Sequence, residues 1–532
     1  MLPPRKPISN NYAPSCLPSA VPRYIPNPHR LNEVLTPALK QLHERCVGCK
    51  SLKLGDWDVS EIYNFKELFK GYPGDIPPEI SNWNVSKVEN MSSIFYGCQG
   101  KIPNLNGWDT SNVIDLSYAF ANSTIESTRF ICKRWNTKSV TCMTGVFENC
   151  NLLKNFDCVW NTSKVQYMSC FFSGCFGLEI NGLNFNTSRV ISMSHMFQHC
   201  ESITYLRLNF DTREVTNMSH MFDSCLNLER LDITCFDTKS VIRFENMFRT
   251  CRKLNMLETG IGFVDNSGFD YTAMFMDCSQ LVLPPISHFK LTDIFSCASM
   301  FENCENAIYL FTENFTLRGV HDMQSMFKNC RKITKINIGK WETETAARID
   351  SLFYGCESLI ELDATKIDTR KAENISYMFA NCKSLSKIDM THWDLRKTKN
   401  ISGLFQNCIS LTSLDIGNLH RYSMPLVEYA SFVFSGCVSL TTINGTLKMY
   451  VLDELAITGA IDECINLLGE VEIEPPKIGE DEDEDNGNDG NNGNDGSDGD
   501  EEDNGNNRNN RNNENEYADD FYKDLDLEEE DL

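Results

Sequence analysis

No stretch of this 532-residue chain approaches the run of about eighteen apolar residues that a membrane-spanning helix needs. The opening Met1-Leu2-Pro3-Pro4-Arg5-Lys6-Pro7 lacks the continuous apolar stretch of a secretory signal. Conventional export and membrane insertion are therefore not expected, which leaves a cytoplasmic or virion-associated location, or surface display by a nonclassical route. No glycine loop that would cradle phosphate is present. Histidine is scarce, with nine scattered residues, and no nonrepeated cluster of nucleophile, base or metal ligands stands out. An enzyme and a bound cofactor are not expected. Basic charge is also short: 49 Lys and Arg face 74 Asp and Glu, a net charge of -25 that disfavours nucleic acid as a partner.

The acidity is concentrated at one end. From Lys477 onward there are 23 acidic and 4 basic residues. Residues 476–532 are Glu, Asp, Asn and Gly with few aliphatics, too little apolar surface to offset ordering entropy, so a disordered tail is expected. Its final stretch, Tyr517 to Leu527, interleaves acids with aromatics and Leu and reads either as a partner-binding motif or as part of a solubilising tail. Residues 1–50 carry seven Lys or Arg, two Glu and nine of the eighteen prolines, a basic, proline-broken leader. Within it Leu31, Val34, Leu35, Leu39 and Leu42 have helical spacing suited to an N-terminal cap.

Between these ends the chain repeats. Phe recurs at 69, 95, 120, 147, 172, 197, 222, 248, 275, 301, 327, 353, 379, 405 and 434, fifteen units of 25 to 29 residues. An aromatic or large apolar residue stands twelve positions before each Phe, and all seven Trp (Trp57, Trp83, Trp108, Trp135, Trp160, Trp341, Trp393) fall there. Units this small cannot bury a core alone and must stack on their neighbours. The twelve-residue interval is constant, whereas the stretch from Phe to the next aromatic varies from 13 to 17, so the constant part is expected to be the rigid part.

That interval opens with Asp or Asn in ten units, usually followed by Thr or Ser, which suits a turn and a helix N-cap. Apolar residues then follow at three- and four-residue steps, as in Val190, Met193, Met196 and Phe197, the spacing of one short helix. Beyond Cys200, Leu206 closes the unit, and alternations such as Leu231-Asp232-Ile233 read as a short strand. The expected fold is an α/β repeat, a right-handed leucine-rich-repeat-like solenoid of about 15 coils, each a strand plus a short helix.

Thirteen of the 23 Cys occupy one repeat position, from Cys98 through Cys150 to Cys437. Equivalent positions of stacked coils lie about 4.8 Å apart on a ladder. Small buried thiols are one reading, and occasional disulfides between adjacent coils are another.

Other motifs are weaker. His43, Cys46 and Cys49 have metal-like spacing but no second Cys pair to complete four ligands, and the acidic tail contains no calcium loop. Ten Asn-x-Ser/Thr sequons, among them Asn84, Asn90, Asn161, Asn186, Asn217, Asn374 and Asn400, arise mostly from the repeat's own Asn-Thr-Ser and Asn-Met-Ser. His195 and His220 occupy equivalent positions, which points to packing or surface roles.

Blocks such as Trp160-Asn161-Thr162-Ser163 with Val165, Met168, Phe172 and Cys175, and Asp211-Thr212 with Val215, Met218, Met221, Phe222 and Cys225, carry a resemblance over roughly Leu52 to Leu447. The chain resembles the BspA-like leucine-rich repeat proteins with DUF285-type repeats. The resemblance implies a leucine-rich solenoid, here over 51–447, used for surface display, adhesion or host interaction, and a nonenzymatic role with a protein or glycan ligand is expected. The apolar stretch that breaks the repeat, 448–475, reads as a C-terminal cap. The competing expectation is an intracellular scaffold or adaptor working through the solenoid and the acidic tail. No individual binding residue is assigned by the sequence.

Overall fold

The computed structural model describes residues 54, 58–72, 74–265, 268–417, 427–445, 447–450, 459 and 471–474. The leader 1–50, Trp57, the apolar stretch 452–468 apart from Gly459, and the tail 476–532 lie outside the described residues.

The core is a set of vertical stacks, one per apolar repeat position. Phe69 through Phe434 form an unbroken column in which successive rings lie 5.2–6.0 Å apart. These separations fall in the favourable range for offset aromatic pairs. Val190, Met193, Met196, Phe197, Cys200, Ile203 and Leu206 are all buried, as are most of their counterparts along the chain; in the Leu206 position Asn181 is exposed and Leu257 is half-buried. Of the tryptophans at the leading aromatic position, Trp83, Trp108, Trp135, Trp160, Trp341 and Trp393 are buried, and the indole N–H of all of these except Trp341 donates to a carbonyl of a preceding coil at 2.9–3.0 Å.

The constant interval is not a helix. Among the described residues no α-helix occurs, and the helical content is limited to single 3₁₀ turns at Pro78–Asn82, Thr312–Asn314 and Ala364–Lys366. The stretch expected to be helical consists instead of two tandem four-residue turns. In one coil Met196 N donates to Met193 O, and Cys200 N to Phe197 O. The third residue of each turn, His195 and His199, has a positive φ of 58° and 56°, which makes the turns type II-like. The same pair of left-handed positions recurs along the column, for example Asn303 after Ser299 and Asn329 after Ser325. Tandem turns place their first and last residues inward, at Met193, Met196, Phe197 and Cys200. That 3-1-3 rhythm is identical to helical spacing, which is why the pattern misleads.

Because the turns are left-handed at fixed points, alternate N–H groups face the next coil. Met193, His195, Phe197 and His199 donate to the carbonyls of Asn217, Ser219, Met221 and Asp223 at 2.9–3.0 Å. A ladder of isolated parallel bridges accompanies them, from Asn64–Asn90 through Ser192–Asn217 to Asn400–Tyr429. The Asp or Asn after the leading aromatic makes the expected turn, its side chain accepting the N–H two residues on, as Asp109 does from Ser111 at 3.0 Å. With no helix to cap, the following Thr is buried and donates across coils instead: Thr162 to Asn186 O and Thr187 to Asp211 O, both at 2.9 Å.

All thirteen ladder thiols point at a main-chain acceptor. Each Sγ donates to the carbonyl of a preceding coil's Phe at 3.0–3.2 Å, from Cys98 on Phe69 to Cys437 on Phe405. A small apolar side chain with a weak donor fits a buried carbonyl that already accepts one N–H. Every cysteine of the described residues is a free thiol.

The opposite face is a parallel sheet, but a discontinuous one. Strands β1 (Gly182–Leu183), β2 (Tyr205–Leu208), β3 (Arg230–Ile233) and β4 (Met256–Thr259) pair in chain order, as do β5 (Lys387–Asp389), β6 (Ser413–Gly417) and β7 (Thr442–Gly445). Elsewhere the face is reduced to single bridges, Ser127–Asn155 and Lys335–Glu361. Counted by this pairing, the β-solenoid has about ten turns rather than 15 strand-bearing coils. A further parallel pair, β8 (Leu447–Tyr450) with β9 (Val471–Glu474), falls in the region expected to cap the stack.

Candidate functional site

One register position turns outward in every coil. The residue preceding each bridge residue donates its N–H to the coil before it, as Ile242 does to Thr216 O, Phe269 to Ile242 O and Phe295 to Phe269 O at 2.8–2.9 Å. Backbone demand is met, so the side chain is free to vary. Over six coils this position reads Ile191, Thr216, Ile242, Phe269, Phe295 and His321. Phe269 and Phe295 remain 51% and 46% exposed although their rings stack at 5.5 Å, and Phe295 stacks on His321 at 5.2 Å. The same position then becomes Ala347, Glu373 and Lys399. Tyr63 and Ile114 are exposed singly at this position, whereas Ile242, Phe269 and Phe295 form an exposed apolar run over three consecutive coils, flanked by Thr216 and His321. Stacking does not require it, and contiguous exposed apolar surface marks interaction sites.

A second apolar set lies where the sheet is interrupted. Val282, Leu283, Ile308, Tyr309 and Ile360 are exposed in the coils between β4 and β5. Beside the leading aromatic positions a groove of about 910 Å³ is lined by Trp341, Glu342, Glu344, Arg370, Trp393 and Arg396 among others. Its charges are largely self-neutralised. Arg370 and Arg396 chelate Asp368 and Asp394 of their own turns, and these hydrogen bonds hold both carboxyls below the usual range. Trp341 Nε1 is buried with no partner, whereas Trp393 Nε1 donates to Ala364 O at 2.9 Å.

The structure brings His195 and His220 together, their rings stacked at 4.4 Å. Asn246 Nδ2 lies 3.2 Å from His220 Nε2, so the amide donates there and His220 Nδ1–H donates to Asp223 Oδ2 at 3.0 Å. Gln198 donates to the same oxygen at 3.1 Å. Burial, and then the neighbouring His220, lower the His195 pKa to about 4. Cys170 occupies the preceding rung, but burial pushes its thiol up to about 12, far from a thiolate at neutral pH. Burial likewise pushes the ladder thiols Cys150, Cys225 and Cys382 up to about 12. Among the described residues no group of three or more His, Cys, Asp or Glu is placed to hold a metal ion, and no helix is long and apolar enough to cross a membrane.

The His43, Cys46 and Cys49 set and the acidic tail lie outside the described residues. Sequon asparagines are used structurally: Asn90, Asn217, Asn374 and Asn400 accept the N–H of the Ser two residues on at 2.8–3.0 Å. The apolar stripe was missed in the sequence because no binding position could be told from a packing position before the turns were known. Its signal is alignment of Ile191, Ile242, Phe269 and Phe295 at one register position where later coils carry Glu373 and Lys399.

No curated protein matches the chain. Solved structures similar to it include a leucine-rich repeat protein from Bacteroides ovatus, 17% identical, aligned over 65% of this chain and 85% of that one with a TM-score of 0.32. A leucine-rich cell surface protein from Faecalibacterium prausnitzii is 15% identical over 55% of this chain and 79% of its own, with a TM-score of 0.26. A leucine-rich repeat protein from Eubacterium ventriosum is 14% identical over 76% and 85%, also with a TM-score of 0.26. The family described as "Mycoplasma protein of unknown function, DUF285" matches residues 38–126, 125–206, 177–281, 207–313, 269–388, 296–418 and 321–448, overlapping segments that follow the stacked repeats. That match bears out the resemblance carried by the Trp-Asn-Thr-Ser and Met-Phe-x-x-Cys blocks, and the chain belongs to the DUF285 family.

Proposed function

We propose that the chain is a nonenzymatic binding protein that engages a protein partner along the exposed stripe from Ile191 to His321. The observation that carries this reading is the pair of stacked, half-exposed rings Phe269 and Phe295, which stacking of the coils does not require. Partners held across several coils gain affinity from many modest contacts. In this reading the protein acts at a cell or virion surface in adhesion or host interaction, with a protein rather than a glycan as ligand, since the stacked rings present edges and not open faces. The alternative is an intracellular scaffold in which residues 476–532 also recruit partners. It is favoured by the ladder thiols, each buried and donating to a main-chain carbonyl, a setting that suits reduced cysteine held as a small apolar side chain.

One experiment tests both. Intact native cells or particles are labelled with a membrane-impermeant biotin reagent, with a known internal protein as control, and wild type is compared with a Phe269→Ser, Phe295→Ser double variant in partner crosslinking. Surface labelling together with loss of crosslinks in the variant supports the first reading. Complete protection supports the scaffold, and unchanged crosslinks in the variant overturn the stripe.

A further inference from the structure

Two cysteines outside the thiol ladder face each other across adjacent coils. Cys132 Sγ and Cys158 Sγ lie 3.8 Å apart. Unlike the ladder thiols, which sit 3.0–3.2 Å from Phe carbonyls, Cys132 has only a long 4.0 Å contact with Thr128 O as its other partner. The two segments are pinned around the pair. Ser127 bridges Asn155, Asp157 N donates to Thr128 Oγ1 at 3.0 Å, and Trp160 Nε1 donates to Cys132 O at 3.0 Å. Cys132 is buried, whereas Cys158 is partly exposed beside Val159, which is 87% exposed.

We propose that Cys132 and Cys158 form a disulfide site that clips two adjacent coils together when the protein meets a small-molecule disulfide such as glutathione disulfide. Cys158, the accessible member, loses its proton and attacks the reagent, forming a mixed disulfide and releasing one reduced thiol. Cys132 then gives up its proton and attacks Cys158 Sγ. The Cys158–reagent bond breaks, the Cys132–Cys158 bond forms and a second reduced thiol leaves. The protein pair is oxidised by two electrons and the reagent is reduced by the same two. Because thiol–disulfide exchange needs a thiolate, burial of Cys132 makes this closing step the slow one. The required movement is small: the sulfurs approach by less than about 2 Å to reach bonding distance. The clip falls where the sheet face has a single bridge, Ser127–Asn155, in place of a strand.

The test uses the full chain, fully reduced, then incubated with glutathione disulfide, quenched by alkylation in denaturant and mapped by mass spectrometry without reduction. The expected product is a Cys132–Cys158 crosslinked peptide, with ladder thiols such as Cys150 and Cys175 recovered alkylated. The exposed Cys235 serves as an accessible control that takes up glutathione without closing. In C158S the crosslink disappears while the ladder thiols and the melting curve stay as in the reduced wild type. A stable glutathione adduct on Cys158 with Cys132 still alkylatable overturns the proposal, as does crosslinking of ladder pairs to the same extent.

Discussion

The two faces of the solenoid obey different rules. On the turn face, each coil from Phe69 to Phe434 repeats one geometry, with paired left-handed residues, inter-coil hydrogen bonds and a continuous ring column. On the sheet face, strands form in two separate runs, β1–β4 and β5–β7. Residue counting does not separate them: turn-face rungs 25 to 29 residues apart pair without a break, and the sheet lapses where successive Phe are evenly 26 apart, from Phe275 to Phe379. What differs is local chemistry. In the gap Pro284 and Pro285 have no N–H to donate, and the 3₁₀ turns Thr312–Asn314 and Ala364–Lys366 take up backbone that a strand would use. Exposed apolar residues such as Val282, Leu283, Ile308 and Tyr309 collect where pairing fails. The turn face therefore builds the scaffold and leaves the sheet face free to vary.

Truncating the turn-face column should give the largest effect. Phe222→Ala removes a fully buried ring stacked at 5.6 Å on both Phe197 and Phe248, and should cost about 3–5 kcal/mol, measured by chemical denaturation. A loss below about 1 kcal/mol would show that the column is not the scaffold.

Acid should act next, and on the same face. The folded-state pKa of His195, at about 4, lies below its ordinary 6.5, so the unfolded chain takes the proton first. Its contribution is constant above pH 6.5, and stability is lost as pH falls from 6.5 toward 4, by at most about 3 kcal/mol. Glu245, whose pKa is raised by burial, offsets part of this, because the folded state then takes up its proton more readily. In the same cluster, burial would raise Asp223, but hydrogen bonds from His220, Gln198 and Ser224 outweigh it, so its contribution is lost only in stronger acid. H195N, which suits a left-handed position, should flatten the melting temperature between pH 6.5 and pH 4 relative to wild type.

The smallest effects belong to the variable surface. Ile308→Ala in the interrupted sheet and Arg213→Ala beside Asp211 should each change stability by no more than about 0.5 kcal/mol in the same denaturation assay. A large loss at Ile308 would mean that the gap in the sheet is structural and not permissive.

Much of this was legible in the residues. The register of fifteen Phe and the buried Cys position could be read because stacking forces equivalent residues into equivalent environments. The helix could not be told from tandem turns by apolar spacing alone, since Met193, Met196, Phe197 and Cys200 satisfy both. A distinguishing signal was present one residue before the Cys. Gly97, Asn149, Gly174, Asn303, Asn329, Gly355, Asn381, Asn407 and Gly436 stand there, residues that weaken a helix interior but accept positive φ. The strands were over-read because each apolar alternation was treated alone, although pairing also needs a donor in the neighbouring coil, which Pro284 and Pro285 cannot supply. The apolar stripe was illegible because exposure at Phe269 and Phe295 depends on where the left-handed turns begin.

That turn geometry is the central claim, and Gly355→Ala tests it most directly. Gly355 has a φ of +69°, and an added Cβ would approach Asn329 Oδ1 to 2.3 Å. Comparison of wild type and variant by thermal and chemical denaturation should show a loss of about 1–3 kcal/mol, the cost of forcing a side chain into a left-handed position. A gain of about 0.5–1 kcal/mol, as expected when Ala replaces Gly inside a helix, would contradict the account.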